Sequence, residues 1–295
     1  MMILKPLSVL LILTQVSFHS FAQKQGVVVA AMGSEHTSFP DTARREGHTG
    51  DGVFYPFAGH YDSRRVLMIH PRRLHPVKGR VDLIFWFHGW HNNVDTAARY
   101  YQLIRQFEES HLNAVLVLPE AAKDAADSYG GKLENEGEFR KLVHDVLNEL
   151  SARRVIPHGT KPGNLLLGGH SGGGEVISYI VDKGGMDITE VVLFDALYDG
   201  TAFFMNWLAK DAGHRFIHMD TDFGYGPKEE SLRMMEQLDQ ARIPYKYVEE
   251  QPSESGYLPS DRILFIHSKR PHNDIIFRPD NFKLLFGMSP FLKRS

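Results

Sequence analysis

The chain has 295 residues, 42% of them hydrophobic, enough for one large core, so a single domain of α/β size is expected. Lys and Arg number 33 against 36 Asp and Glu, a near-neutral balance that gives no reason to invoke a nucleic acid or an anionic membrane as partner. With no cysteine, disulfides and thiol chemistry are excluded, and a chain this long can fold after export without such staples.

Residues 1–22 read as a signal peptide. Lys5 supplies the positive start, residues 6–18 an apolar run, and Ser20-Phe21-Ala22 a small-residue cleavage pattern ending before Gln23. The apolar run is too short to span a bilayer, and no cysteine follows it to carry a lipid. No later stretch is long and apolar enough for a transmembrane helix. The expectation is export to the periplasm or beyond, no membrane insertion, and one domain over residues 23–295.

Residues 27–31 are a β-branched run, followed by a polar segment over 34–52. Residues 54–59 and 65–70 are strand-like, and the prolines and basic residues of 71–79 mark a surface loop. Residues 81–87 form an almost unbroken apolar run, as a parallel strand buried on both faces requires. A helix is predicted over 94–111, with Leu103, Ile104 and Phe107 on one side and Asn93 or Asp95 as cap. Residues 114–118 are the next strand and 121–137 mostly loop. Residues 138–153 are a helix with Phe139, Leu142, Val143, Val146 and Leu150 at 3.6 spacing. Beyond them come strands at 165–167, 191–194, 215–219, 245–248 and 263–266, and helices at 175–182, 201–210 and 228–240. This alternation predicts a mostly parallel sheet with right-handed crossovers, and a ligand crevice at the carboxyl ends of its strands.

The most informative stretch is Gly169-His170-Ser171-Gly172-Gly173, between a short apolar strand and an amphipathic helix. Strand, G-x-S-x-G, helix is the setting of a nucleophile elbow. A serine that must stand clear of a sheet on a sharp turn needs glycine on both sides, where side chains would collide with neighbouring backbone. The helix that follows points its amide end at the developing negative charge. With the His88-Gly89-Trp90 turn upstream, this stretch resembles the α/β-hydrolase superfamily, and within it the secreted bacterial serine esterases and depolymerases. The resemblance runs by order of elements over about residues 81–277. It implies an α/β-hydrolase fold: a mostly parallel central sheet with helices on both faces and antiparallel N-terminal strands.

It also implies the order Ser, then Asp or Glu, then His. After Ser171 the histidines are His214, His218, His267 and His272. His214 precedes its strand, and His218 and His267 fall within or at the end of apolar strand patterns. His272 follows a strand across a loop and is preferred, with His267 second. For the acid, Asp222 takes the usual place after the strand at 215–219; Asp195, one strand earlier, is the alternative, and Asp220 a third option. The oxyanion hole implied by the resemblance uses the amides of Gly172 and Trp90, although HGW here differs from the HGGG of many lipases.

Trp90 and His91 would stand at the crevice mouth and touch substrate, and an indole beside amides suits an aromatic acid or a sugar ring better than a long acyl chain. Tyr129-Gly130-Gly131 and Phe203, Phe204 and Trp207 are further wall candidates, though ordinary helix packing accounts for the latter three. Sixteen histidines raise the question of a metal, but His88 and His91 lie on a turn and no H-E-x-x-H exists, so no metal and no cofactor are expected. The reading is an exported serine hydrolase of carboxylic esters, acting through an acyl-enzyme on a small-molecule or polysaccharide-derived ester. A feruloyl- or acetyl-type esterase is the sharper expectation. A peptidase or amidase on the same scaffold, and a non-catalytic binding protein that kept the fold, are the alternatives. Oligomeric state is not readable from the sequence.

Overall fold

Eleven strands and eight helices follow one another in the computed structural model, which describes residues 26–222, 226–250 and 260–294. The expected signal peptide lies outside these residues. In chain order come β1 (Val27–Gly33), β2 (His48–Gly50), β3 (Val53–Tyr55), a kinked turn α1 (Phe57–His60), β4 (Arg65–Pro71) and β5 (Arg80–Phe87). Next are α2 (Val94–Tyr100), α3 (Leu103–Ser110), β6 (Ala114–Pro119), α4 (Glu138–Ala152), β7 (Lys161–His170) and α5 (Gly173–Lys183). The chain continues through β8 (Glu190–Phe194), α6 (Thr201–Lys210), β9 (Arg215–Thr221) and α7 (Pro227–Gln240). Last are β10 (Lys246–Glu249), β11 (Ile263–Ser268) and α8 (Asn281–Gly287).

Nine strands form one sheet in the order β1-β4-β6-β5-β7-β8-β9-β11-β10. β4 runs antiparallel to both of its neighbours, and every other pairing in this sheet is parallel. β2 and β3 make a separate small hairpin. Because β5, β7, β8, β9 and β11 run the same way, their carboxyl ends open on one edge of the sheet, where a parallel sheet leaves its crevice.

The strand period of two sorts the side chains between two cores. Leu83, Phe85 and Phe87 of β5 join one cluster with Val143 of α4, Ile177 of α5, Phe204 of α6 and Met234 of α7. Ile84 and Trp86 join the other with Ala97 of α2, Phe107 of α3 and Phe282 of α8. Helices therefore cover both faces, and each fully buried side chain of this kind contributes roughly 1.5–3 kcal/mol. Phe139, Leu142, Val143, Val146 and Leu150 are all buried, as their spacing predicts.

Two local expectations change. The helix predicted over 94–111 is two helices, because Gln102 takes a left-handed backbone (φ 53°) that no α-helix can continue through. Its start is as predicted: the Asn93 side chain accepts from Thr96 N at 2.9 Å. The strand expected at 54–59 ends at Tyr55, since the chain turns away at Phe57–His60.

Candidate active site

Ser171 follows directly on β7, and Asp195 directly on β8. Both carry a positive φ, 55° and 47°, a region that a residue with a side chain occupies at a cost of about 1–3 kcal/mol. At Ser171 the sharp turn is fixed by the strand–helix junction: Ser171 N donates to Phe194 O at 3.1 Å, and its own carbonyl accepts from Gly174 N at 3.1 Å. Close approach explains the glycine at 173, where a Cβ would fall 2.4 Å from Phe87 O. The same holds across the cleft at Gly89, where a Cβ would fall 2.6 Å from that of Ser171.

His272 lies on the loop after β11. Its Nδ1 is 2.6 Å from Asp195 Oδ2, and the Asp195 side chain is almost wholly buried. The burial is compensated by further hydrogen bonds: Thr221 donates to Asp195 from its backbone N at 3.1 Å and from its hydroxyl at 2.7 Å. A carboxylate that accepts this many bonds is held in one orientation and presents one oxygen to the imidazole.

The expectation that Asp222 pairs with His272 is corrected. Asp222 is solvent-exposed, bonded to Lys228 Nζ at 2.5 Å and 3.4 Å from His267 Nε2. Lys228, first, keeps its carboxyl below the usual range. Asp220 is also taken, 2.7 Å from His267 Nδ1. His267 is thus engaged away from His272, with Asp220 and Asp222. The other candidates are engaged inside the fold: His218 Nδ1 pairs with Ser231 Oγ while its Nε2 is buried without a partner among the described residues, and His214 pairs with Trp207 O and Asp187.

The loop 88–94 is braced at several points. His88 Nε2 is 2.9 Å from Glu120 Oε1, and Val94 N donates to the same oxygen at 3.0 Å. His91 N donates to Ala125 O, and Trp90 Nε1 donates to Ser128 Oγ at 2.7 Å. The indole and Ser128 lie over Gly172, whose absent Cβ would meet them at 3.0 Å and 2.4 Å. Among the described residues, neither Trp90 N nor Gly172 N donates within the chain.

Ser171, His170 and His272 line a cleft of about 390 Å³ together with Trp90, His91, Asn92, Thr96, Tyr100, Tyr101 and Asn273. Trp90 and His91 therefore stand where the sequence suggests. Phe204 and Trp207 are core residues and Phe203 packs against them, while Tyr129 packs on Phe39 and Arg44 away from the cleft. Burial, with His272 beside it, lowers the His170 imidazole to about 3, so it is neutral near pH 7. On α5, burial and then the carboxylates of Glu134, Asp127 and Asp199 raise Glu175 to about 7.

Compared by sequence, the chain matches no protein-family model and no curated protein. Compared by structure, it is similar to a fluorophosphonate-binding serine hydrolase of Staphylococcus aureus with substrate bound (13% identity, TM-score 0.53, 89% of this chain and 98% of that one). It is also similar to a mutant feruloyl esterase module from Clostridium thermocellum complexed with sinapinate (10%, TM-score 0.51, 92% and 91%). A third similar structure is a ferulic acid esterase (10%, TM-score 0.51, 88% and 98%). The chain has the α/β-hydrolase fold. In this fold the turn that carries Ser171 follows β7, where the G-x-S-x-G motif expects it. The residues that the sequence did not point to are Thr221, Ser128, Glu120, Tyr101 and Asn273. None belongs to a motif, and only His170, inside the G-x-S-x-G stretch, had a signal available.

Proposed function

We propose that the protein is a serine hydrolase of carboxylic esters. Ser171 Oγ attacks the ester carbonyl while His272 Nε2 takes its proton. The amides of Gly172 and Trp90 hold the oxyanion, and the imidazolium returns the proton to the departing alcohol, leaving an acyl-enzyme. Water then repeats the sequence and releases the acid. Asp195 keeps Nδ1 protonated and steadies the imidazolium. The observation that carries this reading is the 2.6 Å contact between His272 and a buried Asp195, with His272 lining the same cleft as Ser171.

Trp90, Tyr100 and Tyr101, with the amides of Asn92 and Asn273, favour an aromatic-acid or sugar ester over a long acyl chain. The feruloyl esterases among the similar structures point the same way. Among the described residues no carboxylate lines the cleft to hold a substrate amino terminus, which favours ester over peptide. The signal-like residues 1–22 support an activity outside the cytoplasm. The test is a panel of short acyl, acetyl-sugar and feruloyl esters, assayed with wild type and Ser171→Ala. Turnover that falls by about 10³-fold or more in the variant is expected. A folded wild type that cleaves none of them, or a variant as fast as wild type, overturns the reading.

A further inference from the structure

We propose that His170, the residue immediately before the nucleophile, is a positioning residue that fixes the base His272 through its backbone, so that one dipeptide both presents Ser171 and places its partner. The inference rests on the serine-hydrolase reading. His170 ends β7 and is 2% exposed. Its Nε2 is 3.1 Å from the backbone oxygen of His272, and the two rings lie 4.3 Å apart. A carbonyl can only accept, so Nε2 carries the proton and Nδ1 is left as an acceptor. Opposite Nδ1, at 3.0 Å, is the Tyr101 hydroxyl, which is also 3.0 Å from Asn273 Oδ1 and whose single proton is donated to one of these two acceptors at a time. His272 is therefore held at two points, its side chain by Asp195 and its carbonyl by His170. Its neighbour Asn273 is held through Tyr101. The break at Gln102 is what ends α2 and leaves Tyr101, almost fully buried, facing this cluster.

The distance between a nucleophile and its base matters on the scale of one ångström, and misplacement of that size can cost about 10²-fold in rate. His170→Ala removes the donor to the loop, whereas His170→Gln retains an N–H at similar reach. The experiment measures kcat and KM for p-nitrophenyl acetate, the melting temperature, and the downfield proton resonance of the His272–Asp195 hydrogen bond. Wild type, both His170 variants and Tyr101→Phe are compared. The expected result for His170→Ala is a kcat lowered by about 10- to 100-fold with KM within about twofold, and a broadened or lost downfield proton. Gln restores most of both, and Tyr101→Phe, which leaves the core packing intact, gives a smaller loss of the same kind. A His170→Ala protein that keeps kcat and the resonance overturns the proposal, as does a loss that tracks the melting temperature and is not rescued by Gln. If His170→Ala does not fold, Gln and Tyr101→Phe decide by the same two readouts. A wild type that shows the resonance but no turnover sinks the hydrolase reading alone, and the resonance in the variants then decides for His170.

Discussion

Replacing Asp195 by Asn keeps the shape of the acid but lets the imidazole settle in the wrong tautomer, which in a serine triad lowers kcat by about 10⁴-fold. The same change at Asp222, an exposed group paired with Lys228, is expected to leave kcat within about threefold. Steady-state kinetics on one ester separates the two, and equal losses would contradict the assignment. Why the sequence favours Asp222, although Asp195 is the carboxylate that meets His272, is plain in the sheet. β8 and β9 are neighbours in parallel register, with Phe194 opposite Met219, so the residues that follow them emerge side by side. Strand order alone cannot choose between them. What chooses is the backbone: Asp195 N donates to Met219 O at 2.7 Å, and its left-handed φ turns the side chain to the Thr221 donors and His272. The places of Ser171 and His272 at one cleft were legible because a glycine-flanked serine and a post-strand loop histidine are local signals. Asp195 was legible only as the alternative to Asp222, because what brings it to His272 is pairing across strands.

At the scale of elements, α5 joins the nucleophile turn to a half-buried acid one turn further on. Glu175 releases its proton near 7 in the folded protein, against an ordinary value of 4.5, chiefly because of burial and then because Glu134, Asp127 and Asp199 surround it. The folded state therefore holds this proton more tightly than the unfolded chain does. That contribution to stability is complete below about pH 4.5 and is lost as pH rises through about 7. Urea midpoints at pH 5 and pH 8 check it: Glu175→Gln is expected to reduce the decline between the two, and an unchanged decline would contradict the environment described here. The break between α2 and α3 was hidden for a related reason. Tyr100-Tyr101-Gln102 contains neither Gly nor Pro, and the apolar spacing runs on through Leu103, Ile104 and Phe107. The gain that offsets a left-handed Gln102 is tertiary, the burial of Tyr101 against His170 and Asn273.

Over the whole molecule, two buried histidines contribute to the acid limb of stability. Burial first lowers both His170, to about 3, and His218, so each is neutral in the folded protein and charged in the unfolded chain below 6.5. The stability they contribute is present above about pH 6.5 and, for His170, is lost progressively down to about pH 3. Unfolding free energy measured between pH 7 and pH 4 is expected to fall less steeply in His218→Gln than in wild type, whatever the change at pH 7. Identical slopes would mean that His218 is not held neutral. The architecture itself was the most legible level, because near-continuous apolar strands alternating with amphipathic helices admit few other arrangements.

The most direct measurement is reaction of the purified protein with a fluorophosphonate, read by intact mass and by peptide mapping. One adduct per chain is expected, on Ser171, absent from Ser171→Ala and slowed in Asp195→Asn. A folded wild-type protein that takes no adduct, or takes it on another residue, would contradict the claim that Ser171, His272 and Asp195 form a working nucleophilic centre.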